Sequence, residues 1–294
     1  MMNLIDISSW QSGIDLPALF AKNSLDGVIV KATQGLTYVN PDFKGWATWL
    51  QDNGKPLGLY HYLDISDPEK QAEHFYNTIK EYVGKSIPIV DYEDMALSKG
   101  TLFLKRFLAK FYILTGVRCM IYCSLSVVSS QDFSKLTMYP LWIAQYADML
   151  PVNGFVDKPW QKGSVAPFDR YWMHQYTSCG HLDGYKGNLD FDKFVGSYAE
   201  WCELCRAEGS SPAPSPKPPA TLKPADPSVV LDVLHGKYGT NQDGRQEKLK
   251  NAGYDPESVQ NKVNEMYGLA QSCHKYLKGN MDYLNCVIWI LKVL

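Results

Sequence analysis

Three carboxylates follow directly on a short apolar segment in the first third of the chain. Residues 87–90 are of strand type, and Asp91, Tyr92, Glu93 and Asp94 come next. In an extended chain alternate side chains share a face, so Asp91 and Glu93 point to one side and Tyr92 to the other. Two carboxyl groups on one side are what the hydrolysis of an acetal requires, because one donates a proton while the other carries negative charge. A solvated acidic loop is the alternative for this motif taken alone.

The segments that must position these groups are short apolar strands alternating with helices. Strands are predicted at residues 3–8, 27–32, 57–62, 87–92, 118–123, 141–146, 171–176 and 188–191. Helices are predicted at residues 16–23, 41–53, 101–115 and 194–208, and a further helix starts at Asp67 and Pro68. This alternation favours an α/β fold with a mainly parallel sheet. Eight strands in about 200 residues fit an irregular (β/α) barrel with fewer than eight helices.

Polar side chains gather at the predicted strand ends. In a barrel of this kind, chemistry occurs at the carboxyl ends of the strands. Four acids are predicted there, namely Asp6, Asp91, Glu93 and Asp190. They are joined by Tyr60, His61, Tyr62, Tyr122, Gln145, Trp172 and Gln175. Four acids and a ring of aromatic residues on one rim are more than a solvated loop predicts.

Several of these residues also have purely structural interpretations. Asp6 could be a buried acid bonded to backbone amides, and Asp190 could cap a helix, with Asp192 as the competing cap. His61 and His174 are interpreted as packed and hydrogen-bonded rather than catalytic. The aromatic residues at the strand ends could belong to the core instead of contacting a sugar ring.

The composition excludes several classes of partner. With 29 Lys and Arg against 31 Asp and Glu, the formal charge is −2, so no basic field attracts nucleic acid. No apolar run approaches the roughly 18 residues of a membrane-spanning helix, so stable membrane insertion is not expected.

Seven irregularly spaced cysteines indicate folding in a reducing cytoplasm, and the pair Cys202 and Cys205 lacks the partners of a zinc site. We therefore expect no metal and no cofactor.

The composition changes after residue 208. Seven of the 17 prolines lie between residues 212 and 227. They predict an extended linker at residues 209–227. This linker separates a domain at 1–208, which is large enough to be catalytic, from a small module at 228–268. Three short helices are predicted in this module, and a module of this size on a proline-rich linker typically binds a partner. The tail at 269–294 ends in an apolar segment, interpreted as a helix docking on a domain or on another subunit, or as a membrane contact.

Seven motifs between residues 3 and 200 are specific when taken together in their order and spacing. They are Asp6-Ile-Ser-Ser-Trp-Gln11, Val30-Lys-Ala-Thr-Gln-Gly35, Tyr60-His-Tyr62, Gln71-Ala-Glu-His-Phe75, Val90-Asp-Tyr-Glu93, Leu141-Trp-Ile-Ala-Gln-Tyr146 and Gly187-Asn-Leu-Asp190. This set resembles the family 25 glycoside hydrolases, the Chalaropsis-type lysozymes common among phage endolysins. The resemblance implies an irregular barrel that hydrolyses the β-1,4 bond between N-acetylmuramic acid and N-acetylglucosamine of peptidoglycan, serving host-cell lysis by a phage.

The resemblance also implies roles for individual residues. By position, Glu93 is the general acid, while Asp91, Asp6 and Asp190 complete an acidic cleft and Asp94 remains an ordinary loop acid. Asp91 would either stabilise the developing positive charge or orient the substrate's own 2-acetamido group as nucleophile. The predicted substrate contacts are Tyr62, Tyr122, Gln145, Trp172 and Gln34. Because Gln34 stands where the family usually has Glu, we expect an altered substrate contact or pH profile, and not a loss of activity.

Part of the small module has a resemblance of its own. Its marks are Gly236-Lys-Tyr-Gly239, Arg245, Ala252-Gly-Tyr254 and Val259-Gln-Asn-Lys-Val-Asn264. They resemble the CW-seven cell-wall-binding repeat of phage lysozymes, which implies attachment to peptidoglycan through Arg245, Tyr238 and Tyr254. Arg245 could instead be a solvated helix residue. With one copy, firm attachment would need the catalytic cleft or oligomerisation as a second contact.

The first residues lack the basic and apolar regions of a signal peptide, so we expect synthesis in the host cytoplasm and release to the wall by another factor.

Two other functions compete with a muramidase. A chitinase is disfavoured because its D-x-x-D-x-D-x-E pattern is absent around Asp91. A non-catalytic wall-binding barrel is disfavoured because all four predicted cleft acids are present.

Overall fold

The computed structural model describes residues 1–207, 223, 225–238, 245–246, 248–249 and 252–264. The chain divides into two compact units, Met1–Ser215 and Pro216–Leu294. The division falls within the segment predicted as a linker. Most of that linker, parts of the small module and the whole predicted tail at 269–294 lie outside the described residues.

The first unit is built on ten strands. They are β1 (Met2–Ile7), β2 (Gly27–Gln34), β3 (Tyr38–Val39), β4 (Leu57–Tyr62), β5 (Ile87–Asp91), β6 (Met120–Ser124), β7 (Leu141–Ala144), β8 (Val152–Asn153), β9 (Met173–His181) and β10 (Leu189–Phe194). Eight of them close into a barrel in the order β1-β2-β4-β5-β6-β7-β9-β10, while β3 pairs with β2 and β8 with β9. The predicted α/β barrel is therefore confirmed.

The pairing is parallel around most of the barrel, as predicted, but the closure is antiparallel. Strand β10 runs antiparallel to both β9 and β1. It is longer than the predicted strand and includes Asp190, Asp192 and Phe194. Neither aspartate caps a helix, because both lie within the strand. The closing helix accordingly starts later than residue 194, at Tyr198, where Ser197 and Glu200 form a capping box.

Six α-helices accompany the barrel within residues 1–207, in agreement with fewer than eight. They are α1 (Leu16–Lys22), α2 (Phe43–Asp52), α3 (Pro68–Ile79), α4 (Gly100–Thr115), α5 (Leu125–Ser130) and α6 (Tyr198–Leu204). The predicted caps are present. The backbone N–H of Lys70 donates to the Asp67 carboxylate at 3.0 Å, and Gly116 ends α4 in the left-handed conformation at φ 70°.

The core consists of two apolar clusters, one on the outside of the barrel wall and one inside the barrel. The larger cluster packs the outward faces of the strands against the helices. The smaller cluster fills the amino-terminal half of the barrel, and it includes Leu4, Ile29, Ile87, Ile89, Met120, Trp142, Met173 and Phe194. One step further along the same inward faces, the side chains become polar, because β1, β5 and β10 continue into Asp6, Asp91 and Asp192. The amino-terminal half of the barrel interior is thus filled by apolar side chains. A layer of polar side chains, the polar floor, lies between this apolar half and the carboxyl ends of the parallel strands.

The second unit contains α7 (Pro227–Leu234), a helical segment at 256–264, and helical residues at 245, 246, 248 and 249. These segments agree with the predicted three-helix module. Their apolar faces form a small core of Val229, Val230, Val233, Leu249, Val259 and Val263, with Tyr238 and Tyr254 packed against it. In the part of the chain that the structure describes, no helix is long and apolar enough to span a bilayer.

Candidate active site

A cleft of about 360 Å³ opens at the carboxyl ends of the parallel strands. Its walls are Asp6, Ser8, Trp10, Gln11, Lys31, Tyr60, Tyr62, Asp91, Glu93, Tyr122, Trp142, Tyr146, Gln175 and Asp190. All four predicted acids and two of the predicted substrate contacts, Tyr62 and Tyr122, are therefore brought together.

The pair Asp91 and Glu93 has the geometry that the strand pattern predicts. Asp91 is the last residue of β5, and Glu93 follows in extended conformation at φ −146° and ψ −173°. Both face the cleft, whereas Tyr92 points into the outer core and its hydroxyl donates to Gln131 at 2.8 Å. Asp91 is buried, with one oxygen lacking a hydrogen-bond partner, while Glu93 is half-buried. Both carboxyl groups line the cleft, and that of Glu93 is the more exposed.

The acid after this pair also has a structural task. Asp94 adopts φ 47°, a left-handed conformation that is unusual outside glycine, and its carboxylate accepts a hydrogen bond from the Tyr62 hydroxyl. Asp94 is exposed and lies outside the cleft lining, as expected, but its hydrogen bond gives it a task beyond that of an ordinary loop acid. It fixes a cleft aromatic residue and places a second negative charge next to Glu93.

Asp6 and Asp190 meet across the antiparallel closure of the barrel. They are directly opposed in the register of β1 and β10. Asp6 accepts a hydrogen bond of 2.6 Å from the Gln175 side-chain amide. The other end of that amide accepts from Tyr122 at 2.9 Å and Tyr146 at 2.6 Å. One glutamine therefore links two phenols of the cleft wall to an acid of its floor.

Burial raises the pKa of every acid in the cleft, and neighbouring carboxylates raise it further for Asp6, Asp91 and Glu93. For Glu93 the largest cause is burial, followed by the charge of Asp94. The pKa of Asp91 lies well above its ordinary value because of burial and then of Glu93. Burial raises the pKa of Asp190 to about 6. Burial, and then Asp190, raises the pKa of Asp6. Such a site favours at least one protonated carboxyl near neutral pH.

Lys31 is the one positively charged side chain among the described residues that line the cleft. Its ammonium group lowers the pKa of both Asp91 and Glu93, while burial lowers its own pKa. Its Nζ donates to the Gln34 side chain at 2.8 Å and lies 4.5 Å from the centre of the Tyr62 ring. Gln34 thus acts on the cleft through Lys31, since it is not among the lining residues.

Two further predicted contacts, besides Gln34, lie away from the cleft walls. Gln145 bonds through its side chain to the backbone N–H and C=O of Lys162, at 3.0 and 2.8 Å, and so secures a loop. Trp172 lies at the opposite end of the barrel, because β9 begins only after it, at Met173. There it stacks on Phe194 and carries the Arg170 guanidinium 4.0 Å from its ring centre. This position corrects the cleft contact expected for Trp172.

Both histidines have the structural role that was favoured. Nε2 of His61 donates to Gln71 at 3.0 Å, its Nδ1 accepts from Thr33 at 2.8 Å, and burial lowers its pKa to about 3. Nε2 of His174 donates to the backbone carbonyl of Gln145 at 2.8 Å. These rings hold the strand ends together.

Sequence reasoning missed six residues of the cleft lining, namely Ser8, Trp10, Gln11, Lys31, Trp142 and Tyr146. Trp10 is 90% exposed at the mouth, in a short 3₁₀ helix that Ser8 caps just after β1. A large aromatic ring directly after a strand-end acid was the available signal for Trp10. For Lys31 the signal was a charge inside an apolar strand.

Comparison with known proteins identifies the family. The model of the glycosyl hydrolases family 25 matches residues 5–185, and that of the CW_7 repeat matches residues 228–267. The autolytic lysozyme of Clostridium acetobutylicum is 31% identical over 199 residues, which cover 66% of this chain and 56% of that protein. The lysozyme of Streptococcus phage Cp-7 is 28% identical over 274 residues, which cover 89% of this chain and 69% of that one.

Solved structures agree on the architecture. The CTP1L endolysin has a TM-score of 0.55 at 26% identity, covering 69% of this chain and 70% of that one. The bacterial lysozyme from Streptomyces coelicolor has a TM-score of 0.58 at 22% identity and supports the fold alone; the match covers 69% of this chain and 96% of that one. The chain spans little more than half the length of the clostridial lysozyme. Since the family model matches more than half of the chain, the protein belongs to glycosyl hydrolase family 25.

Proposed function

We propose that the protein is a muramidase, which hydrolyses the β-1,4 bond between N-acetylmuramic acid and N-acetylglucosamine in peptidoglycan. The observation that carries this proposal is the pair Asp91 and Glu93 on one side of a strand end, in an acid-lined cleft of a family 25 barrel. Lysozymes among its relatives support the choice of substrate.

Glu93 serves as the general acid. A proton donor at neutral pH needs a raised pKa, and burial together with Asp94 provides it. Its half-buried position leaves its carboxyl group open to the cleft. Protonation of the glycosidic oxygen by Glu93 lets the leaving sugar depart as an alcohol, while positive charge develops on the remaining sugar ring.

Asp91 acts on that developing charge. In its ionised form it stabilises the oxocarbenium-like ring directly, or it orients the 2-acetamido group of the substrate as an internal nucleophile. Lys31 favours the ionised form, because its charge lowers the pKa of Asp91. Attack by the acetamido group retains the anomeric configuration, so inversion would exclude that route. Proton NMR of the first-formed reducing end separates retention from inversion.

The decisive experiment replaces Glu93 with Gln in the full chain. Loss of the proton donor should lower hydrolysis of purified peptidoglycan at least about 100-fold, the usual contribution of general acid catalysis. Glu81→Gln is the matched control, because Glu81 lies exposed on a short 3₁₀ helix outside the cleft. Mass spectrometry of the released muropeptides identifies the bond cleaved. Wild-type activity of the Glu93→Gln enzyme, or cleavage of chitin in preference to peptidoglycan, would refute the proposal.

The small module attaches the enzyme to the cell wall through Arg245, Tyr238 and Tyr254. Nη1 of Arg245 lies 3.3 Å from the Gln260 side chain, and Tyr254 donates to Asp226 at 3.3 Å, so both are held at defined positions. The match of residues 228–267 to the CW_7 repeat supports this role.

Attachment is measured by sedimentation with insoluble cell walls. The Glu93→Gln chain serves as a background that does not digest its target. Arg245→Ala in this background should reduce the bound fraction. Lys248→Ala removes a cation from an exposed position in the same helical stretch and should leave binding unchanged. Equal binding of the two variants would exclude Arg245 as a wall contact.

The biological role is lysis of a bacterial host at the end of a phage infection. The likeness to a phage lysozyme over 89% of this chain supports this role. Expression in the cytoplasm of a susceptible host should cause lysis only after the inner membrane is permeabilised, because the substrate lies outside it. Lysis without permeabilisation would mean that the protein reaches the wall by a route of its own.

A further inference from the structure

Asp192 lies in the interior of the barrel, below the residues that line the cleft. Its position on β10 pairs with Leu4 of β1 on one side and Gln175 of β9 on the other. The side chain points inward, as do Asp190 and Phe194, and has no exposed surface. It belongs to the polar floor on which the cleft acids stand.

The surroundings of Asp192 are unfavourable for a second negative charge. Its carboxyl group lies within hydrogen-bonding reach of the Asp6 carboxyl and close to Asp190. Neither of its oxygens accepts a hydrogen bond from the described residues, although the Trp142 indole lies near. The Tyr146 and Tyr176 phenols are the other titratable groups that sense its charge. An ionised carboxylate that is buried in this way is costly, because among the described residues it forms no ion pair and accepts no hydrogen bond of regular geometry.

The proton of this pair belongs on Asp192 rather than on Asp6. Asp6 accepts the Gln175 amide at 2.6 Å, and a donated hydrogen bond favours the ionised form. Asp192 has no such donor. Two adjacent carboxyl groups that cannot both ionise are stabilised when one keeps its proton and donates it to the other. The contact between them then becomes an O–H···O hydrogen bond in place of a repulsion.

We propose that Asp192 is a protonated positioning residue, whose carboxyl O–H donates to Asp6 and holds Asp6 ionised and correctly oriented at the cleft floor. Asp6 then has two donors from below, the Gln175 amide and the Asp192 hydroxyl, which fix its carboxylate beneath the reacting sugar. This role rests on the proposed muramidase function, because Asp6 is assigned to the cleft by that function.

Infrared spectroscopy detects the proton directly. A protonated carboxyl group has a C=O stretch that is separate from the carboxylate bands. At neutral pH, the spectrum of Asp192→Asn should lack one such band that the wild-type chain shows. Asp52→Asn, at the exposed end of α2, should give the wild-type spectrum in this region. An unchanged protonated-carboxyl signal in Asp192→Asn would overturn the proposal.

Kinetics test the positioning role. Asparagine has nearly the shape of aspartic acid and can donate an N–H to Asp6, so Asp192→Asn should retain a kcat close to that of the wild type. Leucine has a similar shape but no donor, so Asp192→Leu should lower kcat about 10- to 100-fold, the factor expected for one hydrogen bond to a charged group. Equal impairment of both variants, or an unimpaired Asp192→Leu, would contradict the role.

The two measurements separate this inference from the proposed function. If the wild-type chain does not hydrolyse peptidoglycan, the proposed function fails, while the infrared comparison still reports the protonation of Asp192. If Asp192→Leu does not fold, the spectrum and the kcat of Asp192→Asn still decide the outcome.

Discussion

Nζ of Lys31 donates a hydrogen bond to the neutral side chain of Gln34 across 2.8 Å, at the rim of a cleft that is otherwise acidic. A neutral partner leaves the positive charge of Lys31 to act on Asp91 and Glu93. We therefore expect the pH profile of the proposed activity to depend on a residue that does not line the cleft.

Replacement of Gln34 by Glu should shift the alkaline limb of kcat/KM to higher pH. A carboxylate at position 34 pairs with Lys31 and offsets its charge, so the pKa of Glu93 rises and the proton donor stays protonated further into the alkaline range. The measurement is kcat/KM on soluble peptidoglycan fragments across the pH range. Gln34→Met is the control, since it removes the hydrogen bond without adding charge. Identical profiles for the two variants would contradict this explanation.

Replacement of Asp94 by Asn should move the same limb in the opposite direction. The charge of Asp94 is, after burial, the largest cause that raises the pKa of Glu93. Its removal lowers that pKa, so Glu93 loses its proton at a lower pH. Asparagine can still accept the hydrogen bond of Tyr62, whereas Tyr62→Phe breaks the bond and keeps the charge. A shift in Tyr62→Phe alone would show that orientation of the aromatic ring matters more than charge.

Replacement of Trp10 by Ala should weaken substrate binding with little change in stability. The indole is 90% exposed at the mouth of the cleft, so its removal leaves the core intact. Loss of an aromatic face for a sugar ring should raise KM about 2- to 10-fold, by analogy with aromatic pairs. Trp10→Phe retains an aromatic ring, so its KM should lie between that of the wild type and that of Trp10→Ala. A wild-type KM for the alanine variant would exclude a substrate contact.

Replacement of Asp190 by Asn should stabilise the protein above pH 6. The pKa of Asp190 is about 6 in the folded chain, against an ordinary value of 3.8. The folded state therefore binds more protons between these values, and the free energy of unfolding falls as the pH rises through this window. The variant lacks that loss. The free energy of unfolding of the variant minus that of the wild type should therefore be about 3 kcal/mol larger at pH 7 than below pH 4.

Unfolding monitored by near-ultraviolet circular dichroism at pH 4 and pH 7 measures this difference. Asp52→Asn, exposed at the end of α2, provides the control and should follow the wild-type curve. Parallel curves for the wild type and Asp190→Asn would rule out a raised pKa for Asp190. The expected gain illustrates that the acids of the cleft are retained at a cost in stability.

The parts of the site that follow from strand periodicity could be predicted from the sequence. Asp91 and Glu93 share a face because a strand alternates, and Tyr92 is buried on the other side for the same reason. Trp172 could not be placed in this way. The predicted strand at 171–176 starts two residues before β9, and Trp172 lies near the amino-terminal end of the strand in both, so its assignment to the carboxyl rim did not follow from the periodicity.

Asp192 could not be identified for a different reason. Between Asp190 and Lys193 the sequence has the polarity of a helix start, and only the tertiary closure of the barrel turns it into a strand. The long-range pairing with β1 decides the conformation, and local propensity does not reveal such a pairing. The same holds for Gln34, whose effect passes through the orientation of Lys31.

The hydrogen bond between Gln175 and Asp6 joins residues 169 positions apart. A contact of such high sequence separation requires the closure of a very large loop, which costs conformational entropy. A growing chain that has left the ribosome only as far as β7 carries Asp91 and Glu93 but has not yet recruited the strands that complete the acid cluster. The acid cluster on which the proposed hydrolysis depends is therefore complete only when β9 and β10 have docked and closed the barrel.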